Sequence, residues 1–215
     1  MAADDEKRAA AEAAAALVQD GMRVGLGTGS TVAFLLPALA ARELRGLRCV
    51  ATSHATTDQA RALGIGVEPF DALDRLDLAI DGADQIAPDR WVVKGGGGAH
   101  TREKAVAAAA DRFVVIADSS KVVDALRPPV PIEVLRFGAA ATLRRLGEWG
   151  EVTVREGWPP SPDDGIICDF DGDVGDPAAL AARLSAAVGV VDHGLFAPEL
   201  TSDVLVARGG EVEHL

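Results

Sequence analysis

Short apolar runs that end in Gly or Asp alternate with longer stretches rich in Ala and Leu through the first half of the chain. This alternation is typical of βαβ units, in which a helix crosses over between two parallel strands. It predicts an α/β fold with a Rossmann-like open, mostly parallel sheet and helices on both faces. The predicted helices are 3–18, 31–43, 54–63 and 101–110, and the predicted strands are 23–27, 47–51, 76–81, 91–94 and 113–117. Open sheets of this kind bind ligands at the carboxyl ends of their strands, so we expect a site there.

A proline-rich segment, 127–131, interrupts this pattern and predicts a domain boundary. The elements that follow have the order βαββαβ, which is typical of a small ferredoxin-like α+β domain. They are strand 132–137, helix 139–146, strands 151–155 and 166–170, helix 177–188 and strand 190–195.

Two further segments complete the predicted organisation. Residues 157–165, between the middle strands of the small domain, are predicted to form a surface loop. Residues 204–214 are predicted to form a hairpin that returns to the first sheet. The predicted domains are therefore a main α/β domain, 1–130 with 200–215, and the small ferredoxin-like domain, 131–199.

The formal net charge of −12 argues against a surface that binds nucleic acid or an anionic membrane, because clusters of Lys and Arg favour binding to either. No apolar run is long enough to span a bilayer, and the charged N-terminus does not resemble a signal peptide, so the cytoplasm is the expected location.

Cys49 and Cys168 stand in apolar runs without metal or redox spacing, which predicts buried, reduced thiols. The four histidines show no ligand spacing, so no metal site is expected.

Residues 24–31 join a predicted strand to a predicted helix through glycines and hydroxyl residues. Backbone amides at a helix start, together with hydroxyls, form a cradle for a phosphate. The segment is not a dinucleotide fingerprint, because Ser30 stands where the third glycine belongs. The alternative is a tight turn in which Ser or Thr caps the helix. The candidate ligands in the cradle are Thr28, Gly29, Ser30 and Thr31.

Two carboxylates follow predicted strand 76–81 in the segment Asp81-Gly82-Ala83-Asp84. At the carboxyl end of a strand they form a candidate acid/base and hydroxyl-binding pair. The alternative is that Asp-Gly is only a turn signal.

Four consecutive glycines, 95–98, separate Lys94 from Glu103. Glycine is costly to order, so such a run is expected where the backbone takes a positive φ or lies against a ligand. Glu103 falls in the first turn of the next predicted helix, where the helix dipole favours an ionised carboxylate that is ready to act as a base. The alternatives are a solvated Lys94 and an ordinary first-turn Glu103. Lys121, just after strand 113–117, is a weaker candidate at the same sheet edge.

Four segments in this order, 27–31, 81–84, 94–104 and 117–121, together resemble ribose 5-phosphate isomerase of the A type. The resemblance extends to the βαββαβ segment and to residues 194–197, so it covers nearly the whole chain.

This chain departs from the family's pattern at three positions. Gln85 stands where the family commonly has Glu, and His100 stands where it has Leu or a similar residue. Gly98 takes a position often held by Ala and is interpreted as tolerated rather than required. The expected substrate contacts of the glycine run are Lys94, Gly95, Gly96 and Gly97.

The resemblance implies a cofactor-free interconversion of D-ribose 5-phosphate and D-ribulose 5-phosphate through an enediolate. It implies that Glu103 is the base. It also implies that Lys94 and the glycine-loop amides stabilise the charge on the sugar oxygen. In the same scheme, Asp81 transfers the proton that opens the ring. Asp84 would hold sugar hydroxyls, 28–31 would bind the rest of the substrate, and Lys121 would add positive charge. The partner is thus a small sugar phosphate, and the resemblance suggests a homodimer, with a tetramer as the alternative.

Other functions on related folds stay open at this point. A sugar-phosphate-sensing domain would bind the same ligands without turnover, although it would not need Lys94 and Glu103. An amino-sugar phosphate isomerase/deaminase should offer a His-centred ring-opening group, and a CoA-transferase relative should offer a Glu nucleophile. The turn 81–84 suits neither particularly well.

Overall fold

The computed structural model describes residues 3–215, which divide into two compact units with separate sheets. The helices are α1 Ala3–Ala15, α2 Val32–Ala40, α3 His54–Ala62, α4 His100–Ala108, α5 Ala139–Leu146 and α6 Pro177–Ser185. The strands are β1 Arg23–Leu26, β2 Arg48–Ala51, β3 Leu78–Asp81, β4 Gln85–Ile86, β5 Val92–Val93, β6 Phe113–Asp118, β7 Val130–Val134, β8 Glu151–Val154, β9 Ile166–Asp171, β10 Val190–His193, β11 Leu195–Phe196, β12 Asp203–Arg208 and β13 Glu211–His214.

The first unit holds a six-stranded sheet in the order β13-β12-β6-β3-β1-β2. It comprises the chain up to Ala83 together with Arg102–Val122 and Pro198–Leu215. All neighbouring pairs are parallel except β12 with β13. This confirms the predicted mostly parallel, Rossmann-like sheet. The predicted hairpin 204–214 is confirmed too, since β12 pairs with β6 and β13 forms the edge.

Helices cover both faces of this sheet. Successive strand residues point to opposite faces, and Val24, Leu26 and Ile80 belong to one core cluster with the apolar residues of α1 and α2. Gly25, between two of these, faces the other way: a Cβ atom there would lie 2.4 Å from Cγ1 of Val106 in α4. Glycine at this position therefore lets α4 approach β1 closely.

The second unit contains a four-stranded antiparallel sheet in the order β10-β7-β9-β8. With α5 and α6 it has the chain order βαββαβ, which confirms the predicted ferredoxin-like fold. Its core includes large buried side chains from the sheet and both helices, among them Ile132, Leu146, Phe170 and Leu184.

Predicted strand 91–94 lies outside the main sheet. As β5 it forms a separate three-stranded antiparallel sheet, in the order β11-β5-β4. A turn from Ala87 to Trp91 makes this geometry, because it reverses the chain directly after β4. Predicted strand 190–195 is likewise divided into β10 and β11.

The second unit comprises residues 84–101 and 123–197. It therefore differs from the predicted domain limits in three segments, which are 84–101, 123–130 and 198–199. The predicted limits remain a prediction.

Three properties bear on the chemistry available to residues 3–215. None of their helices combines the length and the apolar character needed to cross a bilayer. No group of three His, Cys, Asp or Glu side chains among them is placed to hold a metal ion. Cys49 and Cys168 are free and buried, as predicted, and burial raises their thiol pKa values to about 12 and about 11, respectively.

Glu6 of α1 connects two turns of the first unit. Its carboxylate accepts hydrogen bonds from the Ser119 hydroxyl at 2.7 Å, the Ser119 amide at 2.9 Å and the Gly209 amide at 3.1 Å. These bonds, that of the Ser119 hydroxyl first, lower the pKa of Glu6 from 4.5 to about 2. The ionised form of Glu6 therefore stabilises the folded state.

The Glu6→Gln variant is expected to lower the free energy of unfolding at pH 7. Because the folded pKa lies below the unfolded one, the stabilisation is fully present above about pH 4.5 and is lost as the pH falls through about 2. The difference between wild type and variant should thus shrink between pH 6 and pH 3, measured by urea unfolding. Glu12→Gln, at an exposed position of the same helix, is the matched control. A difference that is constant over this range would contradict the prediction.

Candidate active site

The turn after β1 is held to the neighbouring strand β3. The Gly27 amide donates to the carbonyl oxygen of Ile80 at 2.9 Å, and Gly29 has a φ of +116°. Thr31 is the N-cap of α2 in the structure, but its side chain makes no capping hydrogen bond. The alternative interpretation of this segment, a tight turn in which Ser or Thr caps the helix, is thus not supported by a capping bond from Thr31.

Hydroxyls from the start of α3 hold the same turn. The Thr28 hydroxyl lies 2.8 Å from that of Thr52 and 3.4 Å from that of Thr56, and the Thr56 hydroxyl donates to the Gly27 carbonyl at 2.8 Å. Sequence reasoning missed Thr52 and Thr56. The available signal was their place just after β2, since the carboxyl ends of neighbouring parallel strands meet at one edge.

Asp81 is the last residue of β3, and only 2% of its surface is exposed. Its Oδ1 atom accepts hydrogen bonds from the Thr28 amide at 3.0 Å and from the Gly82 amide at 2.7 Å. A Cβ atom at position 27 would lie 1.9 Å from Cγ of Asp81. Gly27 is thus required by the carboxylate beside it, a role that the sequence alone did not reveal.

Glu103 lies in the first turn of α4 and is buried, with 4% of its surface exposed. Val106, one turn later, shares its helix face and packs at Gly25 of β1. The first turn of a helix favours the ionised carboxylate. The structure therefore gives Glu103 a fixed, water-poor position, which an ordinary exposed first-turn residue does not have.

Lys121 ends a short 3₁₀ helix, Ser119–Lys121, that follows β6. Asp118 caps this turn by accepting from the Ser120 amide at 3.0 Å, and Glu6 holds Ser119. Lys121 itself is partly buried.

In the second unit, Asp84 fixes the start of the glycine run. Its own amide donates to the Val93 carbonyl at 2.8 Å, and its Oδ2 accepts from the Gly96 amide at 2.7 Å. A Cβ atom on Gly96 would lie 2.7 Å from Oδ1 of Asp84, so position 96 has no room for a side chain.

Lys94 directly follows β5 and is buried, with 3% of its surface exposed. Its amide donates to the Gly194 carbonyl at 2.9 Å, and its ammonium lies 5.6 Å from the centre of the Phe196 ring. A Cβ atom at Gly194 would come within 2.1 Å of the Lys94 carbonyl oxygen. The interpretation of Lys94 as a solvated strand-end charge is therefore wrong, because the residue is enclosed by β11.

The glycine run turns back on itself. Gly95 has a φ of +104° and Gly98 a φ of +71°, and the Gly98 amide donates to the Gly95 carbonyl at 2.9 Å. A Cβ atom at Gly95 would also lie 2.7 Å from Nδ1 of buried His100. The interpretation of Gly98 as merely tolerated is wrong for this backbone, since a left-handed φ strains other residues by about 1–2 kcal/mol.

The predicted site residues thus fall into two groups, one in each unit. In the first unit the structure joins Thr28 and Gly82 to Asp81. It places Gly29, Ser30 and Thr31 in the same turn as Thr28. Glu103 lies in α4, and Lys121 lies in the 3₁₀ helix after β6. In the second unit it joins Gly96 to Asp84 and brings Lys94 and Gly95 against β11 and His100. Ala83 and Gly97 complete the two turns.

Comparison with known proteins points to one family. The family model for ribose 5-phosphate isomerase A (phosphoriboisomerase A) matches residues 48–211. A ribose-5-phosphate isomerase A from Caulobacter vibrioides is 48% identical over 226 aligned positions, covering 100% of this chain and 99% of the relative.

Solved structures agree with this match. Ribose 5-phosphate isomerase A from Neisseria gonorrhoeae is similar with a TM-score of 0.94 and 30% identity, covering 100% of this chain and 97% of the other. A D-ribose-5-phosphate isomerase in complex with phospho-erythronic acid has a TM-score of 0.95 and 31% identity, covering 100% of this chain and 99% of the other.

The Gly27→Ala variant is expected to lower the free energy of unfolding by about 1–3 kcal/mol, because the added methyl group would overlap the Asp81 carboxylate. Urea unfolding at neutral pH measures this loss. Gly66→Ala is the control: a Cβ atom there meets nothing within 4 Å. Equal stability of the two variants would show that the carboxylate is not held as described.

Proposed function

Since this chain belongs to the ribose 5-phosphate isomerase A family, we propose roles for its own residues in the family's reaction. The chain is an aldose–ketose isomerase that interconverts D-ribose 5-phosphate and D-ribulose 5-phosphate through an enediolate, a step of the non-oxidative pentose phosphate pathway. This membership excludes the sensing domain, the deaminase and the CoA-transferase as alternatives.

Glu103 is the base in this proposal. In the open-chain aldose it removes the proton from C2 to give the enediolate. The hydroxyl proton then passes from O2 to O1, and Glu103 returns a proton to C1 to form the ketose, so one carboxylate serves both carbon steps. The observation that carries the assignment is the burial of Glu103 in the first turn of α4, directly after the glycine run. The helix dipole favours the ionised form before the reaction, and exclusion of water limits loss of the proton to solvent.

Lys94 and the glycine-run amides stabilise the enediolate oxygen. As the C2 proton leaves, negative charge develops on the carbonyl oxygen at C1, and fixed donors lower the energy of that state. The support for this role is the burial of Lys94, whose backbone and side chain are held by Gly194 and Phe196. A buried ammonium interacts more strongly with a developing charge than one in water.

Asp81 transfers the proton that opens the furanose ring. The amides of Thr28 and Gly82 both donate to Oδ1 of Asp81. These bonds orient the carboxylate, and the orientation sets the direction in which Asp81 can exchange a proton. Asp84, exposed and held through Gly96, binds sugar hydroxyls.

The phosphate end of the substrate is bound by the turn after β1 and by Lys121. Gly29, Ser30 and Thr31 offer amides and hydroxyls at the start of α2, the geometry in which phosphates bind to helix termini. Support comes from the related isomerase that holds a phosphorylated sugar acid. Gly82, Ala83, Gly95 and Gly97 contribute backbone contacts along the sugar.

The proposal needs neither a metal nor an organic cofactor, because a carboxylate base and hydrogen-bond donors suffice for proton transfer beside a carbonyl. We further propose that the enzyme works as a cytoplasmic homodimer, with a tetramer as the alternative. Closed symmetric assemblies of this kind are common among soluble enzymes.

The Glu103→Gln variant is expected to lose about three orders of magnitude in kcat, within the range that a general base contributes. Assays should follow both isomerisation and exchange of the substrate's C2 hydrogen with deuterated solvent, and both should fall together. Glu12→Gln, an exposed helical glutamate, controls for the loss of charge. Near-normal turnover in a folded Glu103→Gln variant would exclude Glu103 as the base.

The Lys94→Ala variant is expected to lower kcat by about two orders of magnitude or more, as loss of an oxyanion donor does. Lys94→Met is the matched variant, because it keeps an apolar stem against Phe196 and removes only the charge. Steady-state kinetics separate kcat from KM. A change confined to KM would assign Lys94 to substrate binding alone.

A further inference from the structure

The connection between β8 and β9 does more than cover the surface of the second unit. Residues 157–165 were predicted to be a surface loop, yet Ser161 is buried and donates to the buried Glu133 carboxylate. Glu133 also accepts a hydrogen bond from the hydroxyl of Thr101, in the first turn of α4. The segment is a surface loop, as predicted, because most of its residues are exposed and none lies in a helix or strand, but Ser161 anchors it to Glu133.

Arg155, at the start of the same connection, binds the glycine run directly. Its Nη1 donates to the carbonyl oxygens of Gly95 at 3.0 Å and Gly96 at 3.1 Å. Its Nε and Nη2 donate to the two carboxylate oxygens of Asp169 at 2.7 and 2.6 Å. The guanidinium also lies 4.8 Å from the centre of the Trp158 ring. Only 11% of the side chain is exposed, and these four partners fix the plane of the guanidinium.

These contacts hold one peptide group from both ends. In a trans peptide the carbonyl and the amide point in opposite directions. The carbonyl of the Gly95–Gly96 peptide is bound by Arg155, and its amide is bound by Asp84 at 2.7 Å. The next carbonyl, that of Gly96, is bound by the same guanidinium, so the amide of Gly97 points away from Arg155.

We propose that Arg155 is a positioning residue that orients the Gly97 amide as a donor to the enediolate oxygen. It acts through the backbone and does not touch the substrate. Glycine places few limits on φ and ψ, so a glycine run without such an anchor would sample many orientations of its amides. Donors stabilise a transition state most when they are already oriented before the reaction. This inference rests on the proposed function.

The decisive variant is Arg155→Met, which keeps the length of the side chain and removes every donor. We expect kcat to fall about 10- to 100-fold while KM stays within about threefold of wild type, since the Gly97 amide acts on the transition state. Affinity for phospho-erythronic acid, whose carboxylate stands in for the enediolate oxygens, should fall by a similar factor. Arg155→Lys keeps the positive charge but lacks the planar guanidinium that binds Asp169 and the glycine carbonyls at the same time. We therefore expect it to recover only part of kcat.

Arg136→Met is the matched control. Arg136 holds Asp164 of the same connection through its carbonyl at 2.8 Å and its carboxylate at 3.0 Å, and these bonds involve no residue of the glycine run. We expect wild-type kcat from this variant.

Three results would overturn the inference: Arg155→Met with kcat within threefold of wild type, a change in KM alone, or an equal loss in Arg136→Met. If Arg155→Met does not fold, Arg155→Lys decides, because unchanged kcat and unchanged inhibitor affinity in that variant would refute the positioning role. Failure of the proposed function gives a different result, since Glu103→Gln or Lys94→Ala would then keep near-normal kcat whatever the effect of Arg155→Met.

Discussion

The hydrogen bonds between the Asp81 carboxylate and two backbone amides are the constraint on which the arrangement of the first unit's candidate residues depends. A buried carboxylate is costly unless its oxygens are bonded, and the amides of Thr28 and Gly82 supply such bonds. For the Thr28 amide to reach the acid, the turn after β1 must pass close to the end of β3, which only glycine at position 27 allows. Hydroxyls at the start of α3 then hold that turn in place. A parallel sheet brings all these strand ends to one edge, so the fold and the local chemistry support each other.

The chain carries a net negative charge, and so does the phosphorylated sugar that is its substrate. Several arginines of the first unit are paired with carboxylates, as in Arg23 with Asp77, Arg48 with Glu68, and Arg112 with Asp203. These pairs are partly exposed, and in each of them the positive charge is balanced by its own carboxylate. The proposed donors to the substrate are instead amides, hydroxyls and two lysines. Because remote charges are screened beyond about 8 Å at physiological ionic strength, the net charge of −12 does not prevent such local groups from binding a phosphate.

The sequence predicted those features that depend on order and pattern along the chain. The alternation of strands and helices, the βαββαβ order and the returning hairpin were all readable from periodicity, and the site segments from glycines and charged residues at predicted strand ends. Two-residue strands such as β4, β5 and β11 are too short to show a period, so their separate sheet was not visible. The contacts of Arg155 with the glycine run arise only when distant segments meet. No local pattern marks Arg155, which is followed by an ordinary turn sequence, as a partner of residues 95 and 96.

The tight space around Asp81 also bears on how the sequence can diverge. Position 27 cannot gain a side chain while the carboxylate stays in place, and Asp81 cannot move without losing its amides. A side chain at position 27 would therefore require a change at position 81, although the two positions are far apart in the chain. Comparable coupling links Gly96 to Asp84 and Gly194 to the backbone of Lys94. The side chains that these glycine positions can accept are thus set by neighbours elsewhere in the chain, and not by the turns in which the glycines stand.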